Sequence, residues 1–224
     1  MENENIKHKD FVPIKVLVVY SVLFFAAWFA YEFALLPLIE GIGNSTVESL
    51  LEDGVIKNLI WTVPAIFMVS KYRSEMSVNL RELFKFDKSQ LKYLWIFAAF
   101  AGYIILSKVI HGGKLAVNDS FGWDKVIVCL FVGVTEETVF RGWLLNATVD
   151  KNKKAALIIN ALMFLAIHFP RWLYEGIFIT NFVSLGFICI IVLSFVFSEM
   201  FIRTKSLVLP ITLHMFWDLL MFML

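Results

Sequence analysis

Apolar residues fall in long runs separated by short polar stretches, and seven runs approach the about 20 mainly apolar residues that a helix needs to cross about 30 Å of hydrocarbon. They cover roughly 12–39, 56–71, 92–111, 124–147, 153–170, 177–202 and 206–224. The pattern predicts an all-α fold: a polytopic transmembrane helical bundle of about seven spans, forming a single integral membrane domain over 1–224. Pro64 and Pro210 lie inside the second and seventh runs, where loss of a backbone donor is expected to kink the helices. The one long polar connection, Lys71 to Lys92, holds Leu80, Leu83 and Phe84 at helical spacing and predicts a short helix in the headgroup layer. The polar opening MENENIKHKD precedes a run too long for a cleaved signal peptide, so 12–39 is expected to be a retained span.

Positive residues favour the cytoplasmic side. Segment 71–92 holds Lys71, Arg73, Arg81, Lys85, Lys88 and Lys92, whereas segment 40–57 reads as an acidic loop with Glu40, Glu48, Glu52 and Asp53 against Lys57. Alternation then groups Lys7 and Lys9, Lys151, Lys153 and Lys154, and Arg203 and Lys205 with the first segment. The N-terminus is expected inside and the C-terminus outside.

Composition agrees with lipid as the main solvent. The chain is 59% hydrophobic and 17% charged, against about 45–50% and about 25% in a soluble domain. Its mean hydropathy is +0.76. A net charge of +1 with no basic stripe excludes a nucleic-acid partner and leaves the lipid bilayer as the main environment. Cys129 and Cys189 both lie in apolar runs and are expected to be inert packing residues.

Charges inside the apolar runs carry the chemistry, because each costs several kcal/mol there unless paired or wetted. The fourth run, CLFVGVTEETVFRGWLL, holds Glu136, Glu137 and Arg141. Glu137 and Arg141 are four apart with the acid N-terminal, the favourable ion-pair spacing, while Glu136 is turned about 100° away. Glu136 is therefore the carboxylate free for other work. The fifth run places Phe164 and His168 on one helix face, and the seventh places His214 and Asp218 on one face. A hydrogen bond from His214 to Asp218 would offset part of the cost of burying the acid. Carboxylate and imidazoles in a low-dielectric cavity can activate water and steady an oxyanion, or can ligate a metal that acidifies bound water. No HExxH pair is present, and His168, His214 and one carboxylate make a sparse zinc set. No cofactor is expected, with zinc as the alternative.

These residues resemble the motifs of the CPBP family (CAAX protease and bacteriocin-processing, Abi), intramembrane glutamate proteases that include CAAX prenyl endopeptidases and enzymes linked to bacteriocin processing and self-immunity. The family pattern is EExxxR, then FxxxH, then HxxxN or HxxxD. Here they stand as Glu136-Glu137 with Arg141, Phe164 with His168, and His214 with Asp218, in order, within a motif-bearing core at about 124–224. The resemblance implies a metal-independent intramembrane endopeptidase acting on a peptide or protein substrate. By the same resemblance Glu136 activates water, His168 assists, His214 and the residue at Asp218 support the oxyanion, and Glu137 and Arg141 brace the site. CAAX-type members usually carry Asn where Asp218 stands, and an ionised Asp cannot donate to an oxyanion. Asp218 is therefore expected to orient His214, or to be protonated, and the bacterial branch in a bacterial cell membrane is expected. Two other classes compete: a catalytically silent scaffold or bacteriocin-immunity protein, and a proton-coupled transporter. The transporter would need an inverted repeat, which the sequence does not display.

Overall fold

A computed structural model describes residues 10–112 and 114–224. Lys7 and Lys9, part of the expected positive side, lie outside the described residues. Among these residues there are nine helices and no strand. They are α1 Ile14–Glu40, α2 over 45–71, α3 Leu80–Leu83, α4 Lys88–Ile110, α5 over 123–148, α6 Lys153–Tyr174, α7 Phe178–Val183, α8 Gly186–Thr204 and α9 Val208–Met223. All seven expected runs are helical. By length and composition α1, α4, α6 and α8 can cross a membrane, and α9 is a shorter apolar helix. The two other long helices, α2 and α5, carry buried charges.

The basic connections meet at one end of the bundle. The Ser77 N–H donates to the Asn146 carbonyl at 3.1 Å and the Ser77 hydroxyl to Asp150 at 3.0 Å, while Lys205 Nζ reaches that hydroxyl at 3.1 Å. At the other end the Tyr174 hydroxyl donates to Glu40 at 2.7 Å and the Asn118 N–H to the Met223 carbonyl at 2.8 Å.

Several expectations need correction. The segment 40–57 is not a loop: Asn44 caps a helix at Ser45, accepting the Val47 N–H at 3.2 Å, and α2 carries Glu52, Asp53 and Lys57 into the bundle. Their burial is tolerable because Lys57 Nζ sits 2.5 Å from Asp53 and 3.6 Å from Glu52. Pro64 follows the π-helical stretch Asn58–Thr62, whose wider turn leaves the proline at the start of a regular segment, Val63–Lys71. Pro210 lies in the first turn of α9, where its missing N–H costs nothing, so it starts that helix rather than kinking it. The run 177–202 is broken at Leu185, whose φ of +61° ends α7 before α8 begins. Short helix α3 does not lie free among headgroups. Leu83 is fully buried, and its carbonyl accepts the Leu207 N–H at 2.6 Å and the Ser206 hydroxyl at 3.2 Å.

Apolar burial divides into two clusters. One joins α1, α2, α5 and α6 through residues such as Phe24, Trp61, Phe140, Trp143 and Phe164, and the other joins α4, α8 and α9 through Phe100, Phe197, Leu213 and Trp217. Apolar helices gain little from burial against one another in lipid, so close packing and polar contacts must hold such a bundle together. The closest packing lies between α5 and α9. A Cβ on Gly133 would come within 2.9 Å of Met215 Cγ and 3.1 Å of the Ile211 carbonyl oxygen. Gly133→Val is therefore expected to push these helices apart, costing about 1–3 kcal/mol by overpacking. Thermal unfolding in detergent checks this, with a lower midpoint expected.

Candidate active site

Glu136 and Glu137 end the regular first part of α5, and a π-helical stretch, Thr138–Leu145, follows at once. Such widened turns re-aim side chains and recur at functional sites. Here the stretch leaves Glu137 and Arg141 in contact, with Nη1 to Oε1 at 3.0 Å and both side chains fully buried. Arg141 has further partners on α8: its Nη2 donates to the Ser194 hydroxyl at 2.8 Å and the Ser194 carbonyl at 3.0 Å, and its Nε to the Ser198 hydroxyl at 3.3 Å. The guanidinium also lies 4.3 Å from the ring centre of Phe164 and 5.5 Å from that of Phe197. A buried cation with this many partners fixes α5, α6 and α8 relative to one another.

His214 lies between the two apolar clusters, its ring stacked on Phe197 at 5.0 Å and edge-on to Phe164 at 5.9 Å. Its Nδ1 donates to Glu137 Oε1 at 2.9 Å, because a carboxylate can only accept. The Nε2 edge then faces Glu136 Oε2 at 3.9 Å and Asp218 Oδ2 at 3.5 Å. This revises the expected orientation of the ring: Glu137, not Asp218, holds His214 by a hydrogen bond, and Asp218 lies at ion-pair distance on the opposite edge. Glu136 is 7% exposed, and its Oε2 has no hydrogen-bond partner among the described residues. Glu137 Oε1 serves Arg141 and His214 together, whereas Glu136 is the acid left unbound.

His168 enters from α6. Its Nδ1 donates to the Phe164 carbonyl at 2.9 Å, so the neutral ring carries its lone pair on Nε2. The FxxxH spacing thus has two uses: the Phe164 carbonyl sets the His168 tautomer, and the Phe164 ring contacts His168, His214 and Arg141. His168, His214 and Asp218 lie within electrostatic reach of one another. The seven residues singled out by sequence, Glu136, Glu137, Arg141, Phe164, His168, His214 and Asp218, therefore converge from α5, α6 and α9 on one region.

Sequence reasoning missed two sets of residues. Ser194 and Ser198 on α8, with Asn160 on α6, extend the Arg141 network: the Ser198 hydroxyl donates to Asn160 Oδ1 at 3.3 Å, and Asn160 Nδ2 donates to the Phe140 carbonyl at 2.7 Å. Their signal was helical spacing, since Ser194 and Ser198 are four apart and Asn160, Phe164 and His168 repeat every four residues. The second set is a buried charge cluster beside His168. Arg171 on α6 pairs with Glu32 of α1 at 2.7 Å and with Glu52 of α2, while Lys57 pairs with Asp53. Lys57 lies within electrostatic reach of Glu136, His168 and Asp218. Glu32, an acid inside the first apolar run, was the readable signal.

The described residues contain no group of three or more His, Cys, Asp and Glu side chains arranged to hold a metal ion. Both cysteines are free, Cys129 buried and Cys189 half-buried.

What α5, α6, α8 and α9 assemble is a buried carboxylate and imidazole cluster inside a helical bundle with membrane-crossing helices. Residues 118–220 match the family described as type II CAAX prenyl endopeptidase Rce1-like, a match consistent with the CPBP proteases. The apolar helices and this match point to a multi-pass membrane protein that is similar, over those residues, to a membrane endopeptidase family. Comparisons with curated proteins and with solved structures gave no match.

Proposed function

We propose that this protein is an intramembrane endopeptidase of the bacterial cell membrane, in which Glu136 activates water for attack on a peptide bond. Glu136 is the general base, and the His168 Nε2 lone pair assists in receiving and returning the proton. Attack makes a tetrahedral oxyanion, which His214 Nε2 steadies when the ring is an imidazolium, Nδ1 being already committed to Glu137. An ionised Asp218 has no proton to donate, so its part is electrostatic and is exerted on His214. Glu137, Arg141 and Phe164 hold these groups in place. Proton return to the leaving amine completes hydrolysis and regenerates the carboxylate.

The observation that carries this reading is the division of labour between adjacent acids. Glu137 accepts from both Arg141 and His214 through Oε1, with its Oε2 unpartnered, whereas Glu136 faces His214 Nε2 at 3.9 Å with its Oε2 unpartnered and no such brace. The same division argues against a cation at Glu137, whose Oε1 is already taken by a guanidinium and an imidazole. Purified protein in detergent is expected to cleave a synthetic peptide library, to hold no stoichiometric zinc and to keep its activity in chelator. One tightly held metal per chain, with activity lost on stripping and restored on return, would overturn the mechanism.

A further inference from the structure

Helix α6 is interrupted one residue before His168. Regular helix ends at Ala166 and resumes at His168, with Ile167 between. Pro170 explains the break, since it has no N–H for the Ala166 carbonyl and its ring crowds that same oxygen. The histidine thus stands on the first turn after a discontinuity, where the ladder lacks the bond that Pro170 cannot donate to Ala166, although Ile167 still bonds Met163 and the His168 ring bonds the Phe164 carbonyl.

Two sets of contacts from other helices bracket that turn. Trp28 of α1 donates its indole N–H to the Ile167 carbonyl at 2.9 Å, a bond spanning 139 positions in sequence. Three residues after His168, Arg171 donates from Nε to Glu32 Oε2 of α1 at 2.7 Å and from Nη2 to Glu52 Oε1 of α2. Glu32 is fully buried and Glu52 nearly so, while Glu175, 3.8 Å from Arg171, is an exposed outer partner. Glu52 is shared with Lys57, which is itself held by Asp53, so the clasp is continuous across α1, α2 and α6.

We propose that Arg171 is a positioning residue for His168: clamped by Glu32 and Glu52, and aided by the Trp28 bond to Ile167, it fixes the direction of the turn that Pro170 has released. This rests on the reading of His168 as a participant in water activation. Catalysis is sensitive to such placement, a 1 Å displacement costing about 10²-fold.

The test uses the full chain in detergent, labelled with ¹⁵N-histidine. The chain has 4 histidines, so a His168→Gln variant identifies the His168 ring signals by their loss. Arg171→Gln is expected to shift and broaden those signals and to lower kcat by about 10–100-fold with KM little changed. Arg171→Lys, which can still pair with one carboxylate, is expected to recover part of both. Trp28→Phe keeps an aromatic ring and every charge, so it serves where Arg171→Gln folds poorly, and the same changes are expected in smaller degree. Glu175→Gln should leave signals and turnover as in wild type. Folded Arg171→Gln and Trp28→Phe proteins with wild-type His168 signals and kcat within about twofold would overturn the positioning role. The ring signals decide this role even if no peptide is cleaved, an outcome that would count against the peptidase reading alone.

Discussion

Glu136→Gln is expected to lower peptide cleavage by about 10²–10⁴-fold, the range contributed by a positioned general base, while leaving the protein folded. The amide has the volume of the carboxylate but cannot accept the proton from water. The substitution should be structurally mild because Glu136 Oε2 makes no hydrogen bond that the change would break. The braces of the site, Glu137 to Arg141 and Glu137 to His214, belong to the neighbouring residue and stay intact. Turnover of the purified variant, compared with its elution and unfolding in detergent, separates the two effects. A Gln variant cleaving at wild-type rate would remove Glu136 from the mechanism.

Arg141→Ala is expected to be the most damaging to the fold, lowering stability by about 3–5 kcal/mol, the loss typical of removing one partner of a buried ion pair. The change strands Glu137 in a fully buried position with His214 as its remaining partner. It also removes the donors to Ser194 and Ser198 that tie α8 to α5. Arg141→Lys keeps the charge but not the planar fork, so it should fall between Ala and wild type. Folded yield and the thermal midpoint in detergent report the outcome, and an Ala variant as stable as wild type would contradict the bracing role.

The helices and the convergence at the site were legible in the sequence because both rest on local spacing. Twenty apolar residues make a helix in lipid whatever surrounds them, and EExxxR, FxxxH and HxxxD place side chains by turn geometry alone. Partner choice was not legible. His214 and Asp218 share a helix face, which made their pairing the natural expectation, yet Nδ1 found Glu137 across the α5–α9 contact, where Gly133 lets the helices approach. The acidic stretch before Lys57 reads as a loop because unpaired charges need water. Inside the bundle Asp53 pairs with Lys57 four positions on, but Glu52 is also balanced by Arg171, more than a hundred positions away, and such long-range balance leaves no local pattern. Pro170 closed the expected fifth span at 170, whereas the helix resumes beyond its break and runs to Tyr174.

The central claim, that Glu136 hydrolyses a peptide bond within the membrane, is tested most directly by mass spectrometry of peptide termini. Membranes would be compared from cells carrying wild-type protein and cells carrying Glu136→Gln at equal folded levels. A defined set of new termini should appear with wild type, vanish with the Gln variant and return when wild type is restored. Identical termini in the two membranes would contradict the claim.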